Sequence, residues 1–310
     1  MTVVPNASPP KDILTGVVVS AYSGWYDVAV GDEVYEARPR GRLRRHQDEI
    51  LTGDRVEVCP HEDGSWTIEA VLPRRNQLVR PPVANVDQAI IVFTLELPPW
   101  NRSLTDRIAV MAEAAGLEVI FCLNKIDLVA AEAVEAAAAS YRRAGYRVLT
   151  TDAKHGAGVA GLREHLRGKV SVLAGESGVG KSTLLNALEP GLGLETGEVS
   201  RKLRRGRHTT RRARLLPLHE GDGKVLGFVV DTPGFNRLDV TVIERHELAW
   251  LFPDFRPFRD ACRFDDCLHR AEPGCAVKEA VARGQIEPAR YDSYLDMLAE
   301  IEQHRANLYR

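Results

Sequence analysis

Residues 173–186, LAGESGVGKSTLLN, combine a glycine-rich turn with a lysine and a hydroxyl residue in the pattern G-x-x-x-x-G-K-S. The apolar run before the turn predicts a strand and the run after it predicts a helix, so backbone N–H groups and a helix N-terminus face one point. That point suits a phosphate group; Lys181 would reach the outer phosphates and the Ser182 hydroxyl would hold Mg²⁺. A glycine-rich turn without function is disfavoured, because strand, loop and helix are all in place. The predicted phosphate-site residues are Gly175, Glu176, Ser177, Gly178, Val179, Gly180, Lys181, Ser182 and Thr183.

A second motif, formed by Asn124, Lys125, Ile126 and Asp127, follows the apolar run LEVIFCL. The carboxyl ends of strands in an open parallel sheet are where such sheets bind ligands. The Asp127 carboxylate can accept hydrogen bonds from N1 and the exocyclic N2 of guanine, and adenine has no such pair of donors. The motif therefore favours GTP over ATP. We expect Asn124 to tie the loop together and the Lys125 stem to lie over the base.

Two further segments complete the expected nucleotide site. The run RVLTTDA is followed by Lys154, and Ala153 and Lys154 occupy the place of a Ser-Ala-Lys turn that supports the base in many GTPases, with Asp152 instead of the serine. The run KVLGFVVD ends at Asp231, and Gly234 follows three residues later. We expect Asp231 to hold Mg²⁺ through water and the Gly234 amide to contact the terminal phosphate and detect its loss.

The segment GRHTTRRAR offers two magnesium ligands, Thr209 and Thr210, of which Thr210 is preferred. Phe235 stands where Ras-like enzymes have a water-positioning glutamine, so intrinsic hydrolysis is expected to be slow. His208 is a candidate to orient or deprotonate water once a partner orders this segment, and an ordinary surface histidine is the alternative. The predicted catalytic residues are therefore His208, Lys181 and Thr210.

Three of the five cysteines lie close to a histidine in CRFDDCLHRAEPGC. Cys262, Cys267, His269 and Cys275 supply three thiolates and one imidazole, a closed set of four ligands suited to one structural Zn²⁺ ion. Three unrelated thiols near a surface histidine are the alternative, which is disfavoured because exposed clustered cysteines are a liability. The odd cysteine count favours a metal site in a reducing compartment over a disulfide framework.

The elements that must position these residues form three blocks. Residues 1–80 contain short strand-like runs separated by Gly and Asp turns, which predict a small barrel. In residues 84–240, strand-like runs alternate with helical ones, which predicts a parallel sheet with helices on both faces. Residues 241–310 contain the cysteines and helical runs, and we expect a mostly helical zinc-binding domain. The predicted fold class is multidomain α/β.

Composition limits the cellular context. The 310 residues are 44% hydrophobic and 27% charged, with a net charge of −2, and the chain is long enough for two or three domains. No apolar run approaches the roughly 20 residues that span a bilayer, and MTVVPNASPPKDI lacks the order of a secretion signal. We therefore expect a cytoplasmic monomer without a membrane partner.

The motifs occur in a rotated order, with the base-reading loops first, the phosphate loop next and the switch residues last. A parallel sheet is held by spatial neighbours, so a circularly permuted chain can keep the same site. The order of NKID, GESGVGKST, GRHTT and DTPGF, followed by C-x4-C-x-H-x5-C, resembles that of the circularly permuted, small-subunit-dependent GTPases of bacteria, the RsgA or YjeQ family. The resemblance covers nearly the whole chain.

This resemblance implies an OB-fold-like, RNA-binding barrel at residues 1–80 and a circularly permuted P-loop GTPase domain at residues 84–240. It also implies that GTP is hydrolysed to GDP and phosphate with stimulation by the small ribosomal subunit, and that the protein acts in the late maturation of that subunit. GTP with Mg²⁺ and one structural Zn²⁺ are the implied cofactors.

Basic segments favour a ribosomal RNA partner independently. RKLRRGRHTTRRAR, residues 201–214, has eight Lys or Arg in fourteen positions, and RPRGRLRR, residues 38–45, has five in eight. If GTP orders the first of these segments, its contacts with the RNA phosphate backbone would couple RNA binding to the nucleotide. A charged face that is only solvated is the alternative. Trp25 and Tyr26 could stack on bases or pack in the barrel.

Two other classes of function stay open. A nucleotide-regulated RNA-binding module would use nucleotide only for affinity, and a slowly hydrolysed GTP analogue would then leave its release from RNA unchanged. A P-loop ATPase or small-molecule kinase would tolerate ATP, which competition between ATP and GTP would reveal.

Overall fold

Internal contacts divide the chain into two units, one of residues 1–86 with 209–232 and the other of residues 87–208 with 233–310. Our computed structural model describes residues 13–41, 49–79, 82–194, 213–231 and 239–308. Within these ranges, no helix has the length and apolar character needed to cross a membrane. The predicted domain bounds of 1–80, 84–240 and 241–310 stay a prediction.

The first unit contains a closed five-stranded barrel, which confirms the prediction from the short alternating runs. Its strands are β1 (Leu14–Tyr22), β2 (Trp25–Val30), β3 (Glu33–Pro39), β4 (Arg55–Pro60) and β5 (Trp66–Val71). Their order around the barrel is β1-β2-β3-β5-β4; the β3–β5 pair is parallel and the other four pairs are antiparallel. The side chains of alternate residues fill the interior, among them Val18, Val28, Val56, Val58 and Ile68.

Aromatic residues at the start of β2 pack within this unit. Tyr26 lies against the barrel core. The Arg38 guanidinium lies over the Trp25 ring, 3.4 Å from its centroid, in a cation–π contact. Both residues therefore make packing contacts within this unit, and base stacking by either of them stays a prediction. A short antiparallel pair follows the barrel, β6 (Gln77–Val79) with β7 (Pro82–Ala84).

The second unit contains a parallel sheet with helices after each strand, which confirms the predicted alternation. Its strands are β8 (Gln88–Phe93), β9 (Glu118–Asn124), β10 (Arg147–Thr151) and β11 (Val170–Ala174). They lie in the order β10-β9-β8-β11. All six residues of β8 are buried, as expected for a strand covered on both faces. The helices are α1 (Arg102–Ala114), α2 (Ala131–Arg143), α3 (Val159–Leu166) and α4 (Lys181–Leu188).

The strand order decides where the candidate site residues lie. β8 lies between β9 and β11, although β9 follows it directly in the chain and β11 comes much later. Because all three strands are parallel, the loops at their carboxyl ends lie at one edge of the sheet. The base-reading motif after β9 and the glycine-rich loop after β11 therefore flank the end of β8.

An antiparallel hairpin of β12 (Arg214–His219) and β13 (Val225–Asp231) groups with the first unit. The Thr52 hydroxyl donates to the Ala213 carbonyl oxygen at 3.0 Å, just before β12. The Val225 amide donates to Asp32 Oδ1 at 3.0 Å. The hairpin is thus tied to the barrel unit at both strands, and β13 ends at Asp231 as the sequence predicts.

The last seventy residues are mostly helical, as predicted, with α5 (Arg256–Arg259), α6 (Ala276–Ala282) and α7 (Pro288–Leu308). Leu298 and Ile301 of α7 are buried and Leu295 packs against the same cluster, so these residues share one apolar face of the helix. Phe252 and Phe255 complete the apolar core of this region.

A buried ion cluster joins α7 to α1 within the second unit. The Arg290 side chain is 1% exposed and donates to Asp106 Oδ1 and Asp254 Oδ1, each at 2.7 Å. The Tyr141 hydroxyl also donates to Asp106, at 3.0 Å. Burial opposes the charge of Arg290, but the two carboxylates hold its pKa well above the usual value. A buried charge of this kind is tolerated because its partners are in place.

Candidate phosphate site and metal centre

The glycine-rich loop between β11 and α4 approaches its neighbours so closely that only glycine fits at two of its positions. Gly175 has φ +142°, and an added Cβ would lie 2.1 Å from the Val92 carbonyl oxygen. Gly180, the N-cap of α4, has φ +97°, and an added Cβ would lie 2.4 Å from Asn124 Nδ2. These spacings bring the loop backbone against the end of β8 and against the base-reading motif.

Lys181 begins α4 and lies inside this loop. Its Nζ donates to the carbonyl oxygens of Gly175 and Glu176, each at 2.8 Å. Burial lowers the pKa of Lys181 to about 8, although the negative charge of Glu176 acts to raise it. A desolvated ammonium with only carbonyl partners favours an anion, and a phosphate group is the anion that such loops bind. Ser182 and Thr183 are half-buried in the first turn of the same helix.

The buried Asn124 side chain connects three loops. Its Nδ2 donates to the Val179 carbonyl oxygen at 2.9 Å, and its Oδ1 accepts from the Thr151 hydroxyl at 2.9 Å and the Ala153 amide at 3.2 Å. The base-reading motif, the glycine-rich loop and the turn after β10 are therefore held at fixed spacing. Thr151 was not among the residues expected from the sequence; its only signal is a hydroxyl at the buried end of an apolar run.

Lys125 links two further segments. It has φ +60°, and its Nζ donates to the carbonyl oxygens of Leu97 at 2.5 Å and Gly178 at 2.7 Å. The segment after β8, TLELPPWN (residues 94–101), is therefore connected to the glycine-rich loop through Lys125. Sequence reasoning missed it, although two adjacent prolines shortly after a buried strand are a turn signal at the ligand-binding edge.

The turn after β10 is closed by its own side chains. Asp152 Oδ1 accepts from the amides of Lys154 and His155, each at 3.1 Å, and Oδ2 pairs with His155 Nδ1 at 2.5 Å. Burial opposes the charged form, but the contacts with His155 and the backbone lower the pKa of Asp152. Asp127 lies nearby on a 3₁₀ turn and is exposed, so its carboxylate is accessible to a ligand. Ala153, which follows Asp152 in the chain, is buried.

Several predicted residues lie outside the part of the chain that the structure describes. These are His208, Thr209, Thr210, Gly234 and Phe235, and for Asp231 the backbone alone is described. Half of the basic segment 38–45 and most of the segment 201–214 also lie outside, since residues 42–48 and 201–212 are not described. The roles expected of these residues stay predictions.

The four predicted metal ligands come together in the C-terminal region. The ligand atoms of Cys262, Cys267, His269 and Cys275 all lie within 4.8 Å of one another. His269 Nδ1 lies 3.5 Å from Cys262 Sγ and 3.4 Å from Cys275 Sγ, and those two sulfurs lie 3.9 Å apart. Nδ1 is therefore the imidazole nitrogen that faces the thiols.

Burial governs the protonation of this cluster while it holds no cation. Burial raises the pKa of Cys267 to about 12 and raises that of Cys275, so without a cation these thiols keep their protons. Burial, and then the charge of Arg259, lowers the pKa of His269 to about 4, which leaves the imidazole neutral and able to ligate. Three thiolates and an imidazole at this spacing fit a tetrahedral structural metal, and such a metal would cross-link the loop.

Helix α7 holds the backbone of the cluster. The Tyr291 hydroxyl donates to the His269 carbonyl oxygen at 2.6 Å, and the Tyr294 hydroxyl donates to the Leu268 carbonyl oxygen at 2.8 Å. His269 itself has φ +56°, a conformation uncommon for residues other than glycine. The two tyrosines thus fix the backbone that orients the imidazole.

Two family models match this chain, the RsgA N-terminal domain over residues 15–68 and the RsgA GTPase over residues 71–241. The chain belongs to the RsgA family. It is a GTPase, an enzyme that hydrolyses GTP, and the family predicted from the motif order is confirmed.

Members of the RsgA family with curated names align along almost their whole length. The protein named small ribosomal subunit biogenesis GTPase RsgA of Moorella thermoacetica is 47% identical over 288 residues, covering 93% of this chain and 97% of the relative. The protein of the same name from Alkaliphilus metalliredigens is 44% identical over 292 residues, covering 94% and 98%.

Solved RsgA-family structures share the fold. YjeQ from Thermotoga maritima has a TM-score of 0.81 and 40% identity, with 93% of this chain and 98% of that chain covered. YloQ, described as a circularly permuted GTPase, has a TM-score of 0.80 and 35% identity, with 96% and 99% covered. The predicted fold class, a barrel, a permuted α/β GTPase and a helical region with a cysteine–histidine cluster, is confirmed.

Proposed function

We propose that this chain binds GTP at the edge of the parallel sheet, hydrolyses it to GDP and phosphate with stimulation by the small ribosomal subunit, and acts in the late maturation of that subunit. The observation that carries the nucleotide site is the Asn124 side chain, which bonds to Val179 of the glycine-rich loop and to Thr151 and Ala153 of the turn after β10. The partner is supported by relatives named for small-subunit biogenesis.

Base recognition is assigned to the loops after β9 and β10. The exposed Asp127 carboxylate would accept from N1 and N2 of guanine, and it would reject adenine because its acceptors would stay unpaired. The Lys125 stem would lie over the base while its ammonium stays on the glycine-rich loop. Ala153 and Lys154 would support the base from the other side.

Phosphate recognition is assigned to the glycine-rich loop. Lys181 would exchange its two carbonyl partners for the outer phosphates, which compensate its charge better. Ser182, Thr210 and, through water, Asp231 would hold Mg²⁺, and the Gly234 amide would contact the terminal phosphate. The ion supplies charge neutralisation between the phosphates when it is bound.

Hydrolysis by the free enzyme would be slow, because Phe235 replaces a water-positioning glutamine. We assign His208 to orient or deprotonate the attacking water when the segment RKLRRGRHTTRRAR docks on ribosomal RNA. The barrel and this basic segment are the proposed RNA-binding elements.

The cysteine–histidine cluster is proposed to hold one structural Zn²⁺ ion. Its four ligands leave no position for substrate, and two of them, Cys275 and His269, are buried. We propose that the protein works as a cytoplasmic monomer, in the compartment where ribosomal subunits mature.

The GTPase rate with and without purified small ribosomal subunits tests the function directly. Large stimulation is expected, and an unchanged rate would contradict the proposed partner. Competition by excess ATP at the same site would instead indicate a P-loop ATPase or kinase. If a slowly hydrolysed GTP analogue leaves release from the subunit unchanged, the chain is a nucleotide-regulated RNA-binding module.

A further inference from the structure

Side chains from outside the four ligands hold the backbone around His269. The carbonyl oxygens of Leu268 and His269 accept from the hydroxyls of Tyr294 and Tyr291, at 2.8 Å and 2.6 Å. The amides of the same segment donate to one carboxyl group, that of Glu272, whose side chain is half-buried. Glu272 comes three residues after the histidine and three before the last cysteine ligand.

Glu272 accepts three hydrogen bonds from the backbone. Its Oε1 accepts from the Leu268 amide at 3.0 Å, and its Oε2 accepts from the amides of Arg270 at 2.9 Å and Ala271 at 3.0 Å. These donors lie directly before and directly after His269 in the chain. Hydrogen bonds to an ionised carboxylate are stronger than those between neutral groups. Glu272 therefore fixes the backbone on both sides of one metal ligand.

His269 depends on such support because of its backbone conformation. Its φ is +56°, a value that residues with a Cβ atom keep only where their surroundings hold them there. In this conformation Nδ1 lies 3.5 Å from Cys262 Sγ and 3.4 Å from Cys275 Sγ. If the loop relaxed to a negative φ, the imidazole would turn away from these sulfurs. The metal would then have to order the loop, and metal affinity would fall by that cost.

We propose that Glu272 is the positioning residue of the metal centre, whose carboxylate holds residues 268–271 so that His269 presents Nδ1 to the sulfurs before the metal binds. This inference rests on the proposed zinc centre. Glu272 thus increases metal affinity through His269, without itself ligating the ion.

Two substitutions and a matched control test the proposal. Glu272→Ala removes the acceptor of all three amides. Glu272→Gln keeps one acceptor oxygen but places an NH₂ group where the other oxygen was, so at least one amide loses its partner. Glu302→Ala is the control, because the Glu302 carboxylate binds the same loop through the Arg270 guanidinium, at 2.6 Å, and not through the backbone. Each full-length protein is titrated with Zn²⁺ against a chromophoric chelator.

The expected effects differ between the three variants. Glu272→Ala should weaken Zn²⁺ binding roughly 10- to 100-fold, the usual effect of removing a partner that orients a metal ligand. Glu272→Gln should lose less, about 3- to 10-fold, since part of the hydrogen bonding remains. Glu302→Ala should bind within about threefold of the starting protein, because the loop amides keep their acceptor.

A double-mutant cycle separates positioning from a general effect on the stability of the region. His269→Ala removes the imidazole that Glu272 is proposed to orient. If Glu272 acts through that imidazole, Glu272→Ala should lower Zn²⁺ affinity by less than about threefold in the His269→Ala protein, so the two effects should not add. A carboxylate that only stabilised the fold would cause the same loss in both backgrounds.

Three results would each overturn the proposal: a loss below about threefold in Glu272→Ala, an equal loss in Glu302→Ala, or additive effects in the cycle. If Glu272→Ala does not fold, Glu272→Gln takes its place in all three comparisons, with the same limits. Failure of the starting protein to bind Zn²⁺ would reject the zinc centre and this inference with it, and that result comes from the unsubstituted chain alone.

Discussion

A single amide, Asn124, uses both ends of its side chain to connect loops that follow three different strands. Neighbouring residues depend on that arrangement, because Asp127 and Lys125 reach the ligand-binding edge from the same motif. Asn124 is 2% exposed, so it acts from beneath the site. Exposed Asp127 and half-buried Lys181 are the residues whose substitution should report on ligand chemistry.

Base choice should change with Asp127. Asp127→Asn reverses part of the donor and acceptor pattern that residue 127 presents to the base. GTP should therefore bind more weakly, and xanthosine triphosphate, whose C2 oxygen accepts a hydrogen bond, should bind more tightly. Nucleotide competition on the purified protein measures the change. A wild-type preference for GTP in this variant would show that the base is read elsewhere.

The pH dependence of nucleotide affinity should follow Lys181. Burial lowers its pKa to about 8 in the free protein, and bound phosphates favour the charged form, so nucleotide should raise that pKa. Nucleotide affinity should therefore be highest below about pH 8 and should fall as the pH rises through that value, by up to about tenfold per pH unit. GDP titrations between about pH 7.5 and 9 measure the slope. Lys181→Ala should bind weakly with no such slope; a slope that persists would assign the titration to another group.

Local patterns predicted some residues of the site and missed others for a physical reason. The glycine-rich loop, Asp127 and the four metal ligands belong to short motifs whose chemistry depends on sequence spacing. Thr151 and the Leu97 carbonyl oxygen contribute only because strands β10 and β8 lie beside β9, which no local spacing encodes. The Asp152–His155 pair likewise depends on the shape of one turn.

At the scale of elements, the sequence pattern predicted the barrel strands, the parallel sheet and the helical C-terminal region. Periodicity reports burial along one element and says nothing about which distant element covers it. The grouping of the β12–β13 hairpin with the barrel unit depends on contacts such as Val225 with Asp32, 193 residues apart. The ion cluster between α1 and α7 is a second such pairing.

Removal of Arg290 should destabilise the second unit. Arg290→Met leaves Asp106 and Asp254 buried without their cation, a change expected to cost about 3–5 kcal/mol of unfolding free energy. Arg107→Met is the control, because Arg107 also joins α1 to α7, through Glu300, but that pair is partly exposed and is expected to contribute about 0–1 kcal/mol. Urea unfolding measures both. Equal effects of the two substitutions would contradict the assignment.

Loss of the metal from the cysteine–histidine cluster should affect the C-terminal region and leave the nucleotide site nearly unchanged. Cys267→Ser removes one of four ligands, so it should release Zn²⁺, loosen the C-terminal region and weaken binding to the small subunit while leaving GDP affinity nearly unchanged. Metal content per chain and GDP titration measure the two effects. Cys59→Ser, a buried thiol of the barrel, should retain the metal. Less than about half a zinc per starting chain would argue against the centre.

At the scale of the whole molecule, hydrolysis and ribosome binding should separate by substitution. Arg204→Ala with Arg205→Ala should weaken binding to the small subunit and flatten its salt dependence, because fewer counterions are released. His208→Ala should bind normally and lose stimulated hydrolysis, by about 10²-fold if the imidazole positions water. Single-turnover hydrolysis on saturating subunits measures this. A rate within about twofold of wild type, which is a change of less than roughly 0.5 kcal/mol in activation free energy, would place the catalytic role elsewhere.

The Arg290 cluster also has an evolutionary consequence. Asp106 and Arg290 are 184 positions apart, yet each makes the other tolerable in the interior. Loss of Arg290 alone should be selected against, while simultaneous replacement of Arg290, Asp106 and Asp254 by apolar residues of similar volume should be permitted, because Asp254 also depends on Arg290. In an alignment of relatives these three positions should therefore co-vary, and a homologue with a neutral residue at position 290 should have lost the charges at 106 and 254.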